Sequence, residues 1–408
     1  MANINPFCAV RPEETLAKEI AALPYDVYSR KEAKKEVEKN PQSFLKVDRA
    51  ETLLNDDVNI YSREVYEKAA HTLQEMVDNH AFLQDEVPDY YLYELTMDGR
   101  SQTGIVGCAS IDDYLNNVIM KHENTRSDKE QDRTNHIDVC NAQTGPIFLT
   151  YRPDRGINYI VEKNKKKSTL YDFVTEDGIH HRVWKIDNEV DIDKIRNNFE
   201  RINHIYIADG HHRAASAVKV GLKRRTQNPD YTGKEEFNYF LVVLFPSDEL
   251  YVMDYNRVVK DLNGYTTEEF KSKLEENFEL QEYGKMPYKP KEKGTFGMFL
   301  DQTWYSLKVK DIVEADPVKS LDVSILQEKI LEPILGIVDP KTDQRIKFVG
   351  GIRGLKELEK DSTGGVAFSM YPTSIEELFA VSDAGMLMPP KSTWFEPKLR
   401  SGLFIHQI

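Results

Sequence analysis

The stretch Ile205-Tyr206-Ile207-Ala208-Asp209-Gly210-His211-His212-Arg213, followed by AASAVKV at 214–220, decides the architecture. A short apolar run bounded by a turn signal reads as a buried strand. Asp-Gly is turn chemistry. The small-residue run that follows reads as a helix, which Gly221 is expected to end. Strand, tight turn and helix in direct succession are the working unit of proteins that mix α and β elements, and the same alternation continues along the chain. The expected fold class is therefore α+β, a core unit elaborated with several β-hairpins and helices.

This turn also carries the strongest chemistry. Gly210 can take the positive φ that a tight turn demands. A helix start offers unsatisfied N–H groups and a positive dipole end, a natural seat for an anion. Arg213 adds a bidentate fork for phosphate, and His211 and His212 can donate or carry protons. Asp209 can hold a metal ion or orient a histidine. Residues 203–225 hold five cations (Arg213, Lys219, Lys223, Arg224 and Arg225) against one carboxylate, Asp209. Two adjacent histidines between an Asp-Gly turn and an arginine favour a functional reading over an exposed polar turn.

A second polar segment is KHENTRSDKEQDRTNH at 121–136, sixteen residues without an apolar side chain. As a helix it places His122, Arg126, Lys129 and Arg133 on one face. Thr125, Asp132 and His136 lie on the neighbouring stripe. A helix polar all round has no core to dock on, so it is solvated, is a loop, or lines a polar cavity. Its position between apolar residues 115–120 and 146–149 favours the cavity. His122-Glu123 begins the zinc pattern H-E-x-x-H, but Arg126 stands where the second histidine would be. Another His pair, His180-His181, follows the turn Asp177-Gly178 with no small-residue helix behind it, and is expected at the surface.

Two further segments are candidates. Tyr25 and Asp26 in LPYDV (23–27) stand just ahead of a helix that Ser29 should cap and Asn40-Pro41 should stop. The tail PPKSTWFEPK (389–398) sets a lysine beside two hydroxyls, which suits phosphate. A clamp packed by its aromatics is the favoured reading.

Working outward, 63–79 reads as an amphipathic helix. Hairpins are expected at 89–109 around Asp98-Gly99, at 239–253 around Pro246-Ser247-Asp248, and at 296–309 around Asp301-Gln302. Helices are expected at 266–277, 321–330 and 374–381, with a strand at 365–370. Residues 287–294, rich in proline, glycine and lysine, could divide a main body (1–286) from a C-terminal α/β portion (287–408). They serve equally as a loop inside one integrated domain.

Composition limits the partners. The chain has 408 residues and a formal charge of −14, with 40% apolar and 30% charged residues. That apolar fraction supports a core, and the acidity argues against a dedicated nucleic-acid wrapper. No membrane span or signal sequence is evident, and Cys8, Cys108 and Cys140 make neither a disulfide framework nor a C-x-x-C pair. A cytoplasmic protein is expected. No phosphate loop, dinucleotide fingerprint or nucleophile elbow occurs.

Taken in order, PYDV (24–27), NPQSFLKV (40–47), KHENTRSDKEQDR (121–133), IYIADGHHR (205–213) and MPPKSTWFEPK (388–398) resemble the DUF1015 family of bacterial and archaeal proteins. The resemblance spans nearly the whole chain. The turn at 208–213 is also similar to the phosphate turn of the ParB/sulfiredoxin superfamily, and most closely to that of its free-serine kinases. This second resemblance implies a ParB/sulfiredoxin-like phosphate-binding core with a nucleotide phosphate near His211, His212 and Arg213. Sulfiredoxin chemistry also uses a cysteine beside the turn, and none stands near 209–213 here.

The expected activity is nucleotide-dependent phosphoryl transfer to a small hydroxyl-bearing metabolite, with free L-serine as the expected acceptor and ATP or ADP and Mg²⁺ as cofactors. Asp209, Gly210, Arg213, Lys129 and Arg133 are expected at the nucleotide, with Asp209 also at the metal. His211 or His212 would stabilise the transferring group, and Glu123 or Asp132 would be the base. His122, Thr125, Arg126, Tyr25 and Asp26 are expected at the substrate. The alternatives are a ParB-like nucleotide-binding protein that associates with DNA, and a phosphate-ester hydrolase using the same residues.

Overall fold

The computed structural model describes residues 1–311 and 315–408. They form two compact units. The first comprises Met1–Lys121, Thr125–Leu250 and Pro397–Ile408; the second comprises His122–Asn124 and Tyr251–Glu396. Both mix helices and strands, as an α+β chain should.

The first unit is built on a nine-stranded mixed sheet. Its order is Ile119–Met120, Ile205–Asp209, Ile147–Tyr151, Tyr239–Pro246, Arg100–Ser110, Tyr90–Met97, His180–Ile186 and Tyr171–Val174, with Ile4–Asn5 on Arg100–Ser110. Pairing is parallel between Ile147–Tyr151 and Tyr239–Pro246, and between Ile119–Met120 and Ile205–Asp209. The remaining pairs are antiparallel. The hairpin Tyr90–Met97/Arg100–Ser110 turns at Asp98 and Gly99, both at positive φ (51° and 78°), as a two-residue loop requires. Helices Arg155–Asn164, Glu189–Phe199 and His211–Gln227 contribute Ile157, Ile160, Ile195, Phe199, Ala214, Ala217 and Val220 to one core with the strand residues Ile147, Leu149, Ile205, Ile207, Val242 and Leu244. Alanines and valines on the His211–Gln227 face let that helix lie close to the sheet.

Gly221 does not end this helix, which continues to Gln227. A Cβ at Gly221 would stand 2.5 Å from the Phe237 carbonyl oxygen and 2.8 Å from Ile111 Cδ1. The glycine therefore answers to close packing, not to termination. A separate cluster gathers Ile20, Ala33, Phe44, Leu45, Leu73, Met76 and Phe82 from the N-terminal segments with Ile405 from the tail. Helix Arg30–Lys39 begins with a full capping box between Ser29 and Glu32, which contributes about 1 kcal/mol.

The second unit carries a six-stranded antiparallel sheet ordered Phe278–Gly284, Thr303–Val309, Thr295–Leu300, Val366–Ser369, Tyr255–Val259 and Ile346–Gly350. The segment 287–294 connects two of its strands, and Ser369 Oγ donates to the Tyr288 carbonyl at 2.7 Å. It is thus a loop inside this unit. The hairpin expected at 239–253 does not form. Tyr239–Pro246 belongs to the first sheet, while Val252–Met253 pairs with Trp394–Phe395. There the aromatic tail packs as a clamp, with the Trp394 ring 4.9 Å from Tyr255. Helix Asp322–Leu326 runs on into a π-helical turn at Gln327–Leu331. Among the described residues no helix is long and apolar enough to cross a membrane.

Candidate functional site

The turn forms as its residues dictate. The pairing register of Ile205–Asp209 with Ile147–Tyr151 shifts between Ile207 and Asp209, a bulge that re-aims the last residue of the strand. Gly210 follows at φ 96°, where only glycine sits without strain, and helix His211–Gln227 starts at the next residue. No side chain caps that start. A Cβ at Gly210 would lie 3.1 Å from Nε and Nη2 of Arg213, so the bare glycine also lets the guanidinium fold back over the turn. Arg213 Nη1 donates to the Pro146 carbonyl at 2.6 Å, which fixes the fork.

Asp209 receives the Gly210 N–H at 2.9 Å and pairs with Lys398 Nζ at 3.2 Å. Burial opposes its charge, but Lys398 and Arg213 outweigh that and hold the carboxyl well below the usual range. Among the described residues no group of three or more His, Cys, Asp or Glu is placed to hold a metal ion. Asp209 is the single carboxylate of the turn, and an ammonium already accompanies it. The donor set thus makes no dedicated cation cage.

The second polar segment becomes a helix only from Ser127 to Cys140. Arg126 keeps an extended backbone (φ −88°, ψ 130°), and its N–H donates to His212 Nε2 at 2.9 Å. His212 Nε2 therefore carries a lone pair. The face expected to unite His122, Arg126, Lys129 and Arg133 is broken at this point. His122 and Glu123 belong to the second unit, where the His122 carbonyl accepts from Met388 N–H at 2.8 Å. Arg126 is exposed and pairs with Asp128 at 2.8 Å. Thr125 donates its hydroxyl to Glu130 at 2.6 Å, and Glu130 also pairs with Lys219. Ser216 Oγ donates to the Glu130 carbonyl at 2.8 Å, binding helix Ser127–Cys140 to helix His211–Gln227.

A helix without an apolar stripe can thus be buried because its partners are polar too. Glu130, Asp132, Arg133 and His136 are all buried. Asp132 accepts from the Tyr66 hydroxyl at 2.9 Å and pairs with Arg133 at 3.0 Å. The Arg133 guanidinium lies 4.1 Å from the Tyr25 ring centroid, a cation–π stack. Burial, against the pull of Arg133, pushes the Tyr25 phenol up to about 12, so it stays a neutral donor. His136 Nε2 donates to the Val47 carbonyl at 3.1 Å, and burial together with the Arg133 charge brings the imidazole down to about 4.

These side chains enclose a cleft in two lobes, both within the first unit. One lobe is lined by Tyr25, Asp48, Arg133, His136, Thr144, Arg213 and Ser401. The other, about 330 Å³, shares Tyr25, Asp48, Arg133 and His136 and adds Asp26, Lys129 and Asp132. The fold therefore brings together Tyr25, Asp26, Lys129, Asp132, Arg133 and Arg213 from three separate stretches of sequence. Tyr25 is presented by the short 3₁₀ turn Tyr25–Val27, whose position Arg49 fixes by donating to the Tyr25 and Tyr28 carbonyls at 3.0 and 2.7 Å. Arg49 is itself held by Glu51 at 2.7 Å.

Sequence reasoning misses Asp48, Tyr66, Thr144, Lys398 and Ser401. Asp48 stands one residue beyond the NPQSFLKV segment, and Lys398 ends the same tail segment that sets Lys391 beside two hydroxyls. His181, expected at the surface, is fully buried. Its ring stacks on Tyr93 and Phe173, at 5.9 and 5.2 Å, and Nδ1 bonds the Tyr93 hydroxyl at 2.9 Å.

A family model described as a protein of unknown function, DUF1015, matches residues 4–324. The chain belongs to the DUF1015 family. No curated protein matches the chain by sequence. Among solved structures, this DUF1015 chain is similar to a free serine kinase in complex with ADP, at 12% identity and a TM-score of 0.36, covering 74% of this chain and 92% of that one. It is similar to SbnI with a C-terminal truncation from Staphylococcus aureus, at 13% identity and a TM-score of 0.38, covering 72% and 85%. A conserved hypothetical protein from Pyrococcus furiosus matches at 12% identity and a TM-score of 0.35, covering 74% and 94%. Likenesses at this level do not bear on the chemistry, which rests on the cleft itself.

Proposed function

We propose that this chain is a nucleotide-dependent phosphotransferase acting on a small hydroxyl-bearing metabolite, with free L-serine as the first acceptor to test. The observation that carries the reading is that Arg133 and Arg213 line the same cleft lobe, beside a helix start with no side-chain cap. Phosphoryl transfer asks the protein mainly for positioning and for charge neutralisation on the transferring group. Two guanidiniums and a glycine-led helix start supply both. The resemblance of 208–213 to the turn of the free-serine kinases points the same way.

In this scheme Arg213 and the N–H groups at the helix start hold phosphate, with His211 and His212 flanking the transferring group. Arg133, stacked on Tyr25 and backed by Asp132, draws on the same charge. Asp132 already accepts from Tyr66 and Arg133. Its part is therefore to orient Arg133, not to act as base. Mg²⁺ would enter with the nucleotide phosphates, Asp209 being the carboxylate nearest the turn.

The test is product analysis with purified protein, ATP or ADP, Mg²⁺ and L-serine. Nucleotide turnover that depends on the hydroxyl acceptor and yields a phosphomonoester supports the reading. Release of inorganic phosphate from esters without nucleotide would make the protein a hydrolase instead.

A further inference from the structure

Asp48 stands apart from the other acidic groups of the cleft. It closes the short helix Leu45–Asp48, is only 5% exposed, and lines both lobes. Buried carboxylates ordinarily sit against a cation, because an uncompensated charge away from water is costly. The others here obey that rule: Glu51 pairs with Arg49, Asp132 with Arg133, and Glu130 with Lys219. For Asp48 the hydrogen bond is from a neutral hydroxyl, Thr144 Oγ1 at 2.8 Å, and among the described residues no Lys or Arg nitrogen comes within 4 Å. Arg133 feels the Asp48 charge across the lobe but spends its own contact on Asp132. The nearby imidazole, His136, is neutral and spends Nε2–H on the Val47 carbonyl. The fold thus builds a carboxylate into the cleft wall and leaves its contacting counter-charge to come from outside.

We propose that Asp48 binds the ammonium group of a small primary-amine ligand in the cleft, with Arg133 and Arg213 taking the ligand's anionic end. Thr144 fixes one carboxylate oxygen, so the other is held ready for the ammonium. The ligand class is therefore a zwitterion, compact enough for lobes whose larger one holds about 330 Å³. A neutral polyol leaves Asp48 without a contacting cation and binds less well. This inference rests on the phosphotransferase reading proposed above and assigns the residue that recognises the amine of its acceptor.

The experiment is calorimetric titration of the full chain with matched pairs: L-serine against L-glycerate, and O-phospho-L-serine against 3-phospho-L-glycerate. Each pair differs by ammonium in place of hydroxyl. The expected result is that the amine member of at least one pair binds about tenfold tighter or more, the scale of one charge-assisted contact. Asp48→Asn should bring the two members within about twofold of each other. Equal binding of both members to the wild type, no binding of either pair, or an amine preference that survives Asp48→Asn overturns the proposal. If Asp48→Asn does not fold, Thr144→Val serves in its place and should narrow the preference by freeing the carboxylate. A Thr144→Val protein with an undiminished preference counts against the proposal.

Melting curves in potassium chloride and in tetramethylammonium chloride at equal ionic strength add a further arm. Stabilisation by potassium that needs Asp48, with no amine preference, would make the occupant an inorganic cation and overturn the amine assignment. The two readings fail separately. An amine preference without nucleotide turnover keeps Asp48 and removes the phosphotransferase, whereas serine-dependent turnover without an amine preference does the reverse.

Discussion

The chain contains two His-His pairs, each just behind an Asp-Gly turn, and they have opposite fates. At 177–181 the sequence is DGIHH; at 209–213 it is DGHHR. Gly178 and Gly210 both take positive φ, 79° and 96°. After Gly178 the chain enters strand His180–Ile186, alternation sends His181 inward, and the ring disappears between Tyr93 and Phe173. After Gly210 the chain enters a helix, His212 comes to rest on the Arg126 N–H, and Arg213 reaches the cleft. The dipeptide is the same; the backbone that follows it decides whether it becomes core or site.

The largest contrast should appear in activity. Arg213→Ala removes the guanidinium proposed to hold phosphate and should cut the proposed phosphoryl transfer by about 100-fold or more, measured as acceptor-dependent nucleotide turnover. His181→Ala should leave that rate within about twofold, since no reacting group touches it. A large rate loss in the His181 variant with stability intact would erase the distinction between the pairs.

Stability should reverse the order. His181→Ala empties a buried, stacked and hydrogen-bonded position and should cost about 2 kcal/mol in denaturant titration. His212→Ala, on a half-buried ring, should cost less than half of that.

The two glycines give a finer test. An alanine at either must adopt the left-handed region, at about 1 kcal/mol. A Cβ at Gly178 meets nothing within 4 Å, so Gly178→Ala should show the strain alone. Gly210→Ala should add a loss of activity, because the new methyl presses on Arg213.

A further contrast lies in pH dependence. Burial, with the Arg400 charge, brings His181 down to about 3 in the folded protein, against Asp177, which favours the charged form. The unfolded chain then binds the extra proton between about pH 3 and 6.5, so this group's contribution to stability rises with pH through that window and levels off above it. His181→Phe should flatten melting temperature against pH between about 4 and 6.5 relative to wild type. In the second unit Asp322 works in the other direction. Burial raises its carboxyl to about 7, so its contribution falls as pH climbs from about 4 to 7, and Asp322→Asn should remove that decline.

Much of the fold is legible because local rules govern it. Ser29, Thr266 and Ser374 begin helices by capping boxes readable in the sequence. Asp98-Gly99 and Asp301-Gln302 make hairpins where turn residues stand. Reading fails where distant partners intervene. Gly221 resembles a helix stop and is instead a close approach to Phe237 and Ile111. Residues 239–253 have the pattern of a hairpin, but each arm finds a better edge elsewhere. At the site, Arg133 and Arg213 are visible as cations beside apolar runs. Asp48 is not, because nothing in its neighbours along the chain sets it apart.

The sequence by itself determined the phosphate-suited turn. Gly210 permits the bend, and the residues behind it are helix formers that set the positive end of a helix dipole at 211–213, a consequence of bonds only a few residues long. Only the tertiary structure decided that helix Ser127–Cys140 would turn its charged face inward, onto the Asp132–Arg133–Tyr25 array. Before Ile137, which joins the core, this helix has no apolar stripe to orient it, so the inward face of residues 127–136 is chosen by the ion pairs and hydrogen bonds that the rest of the fold presents.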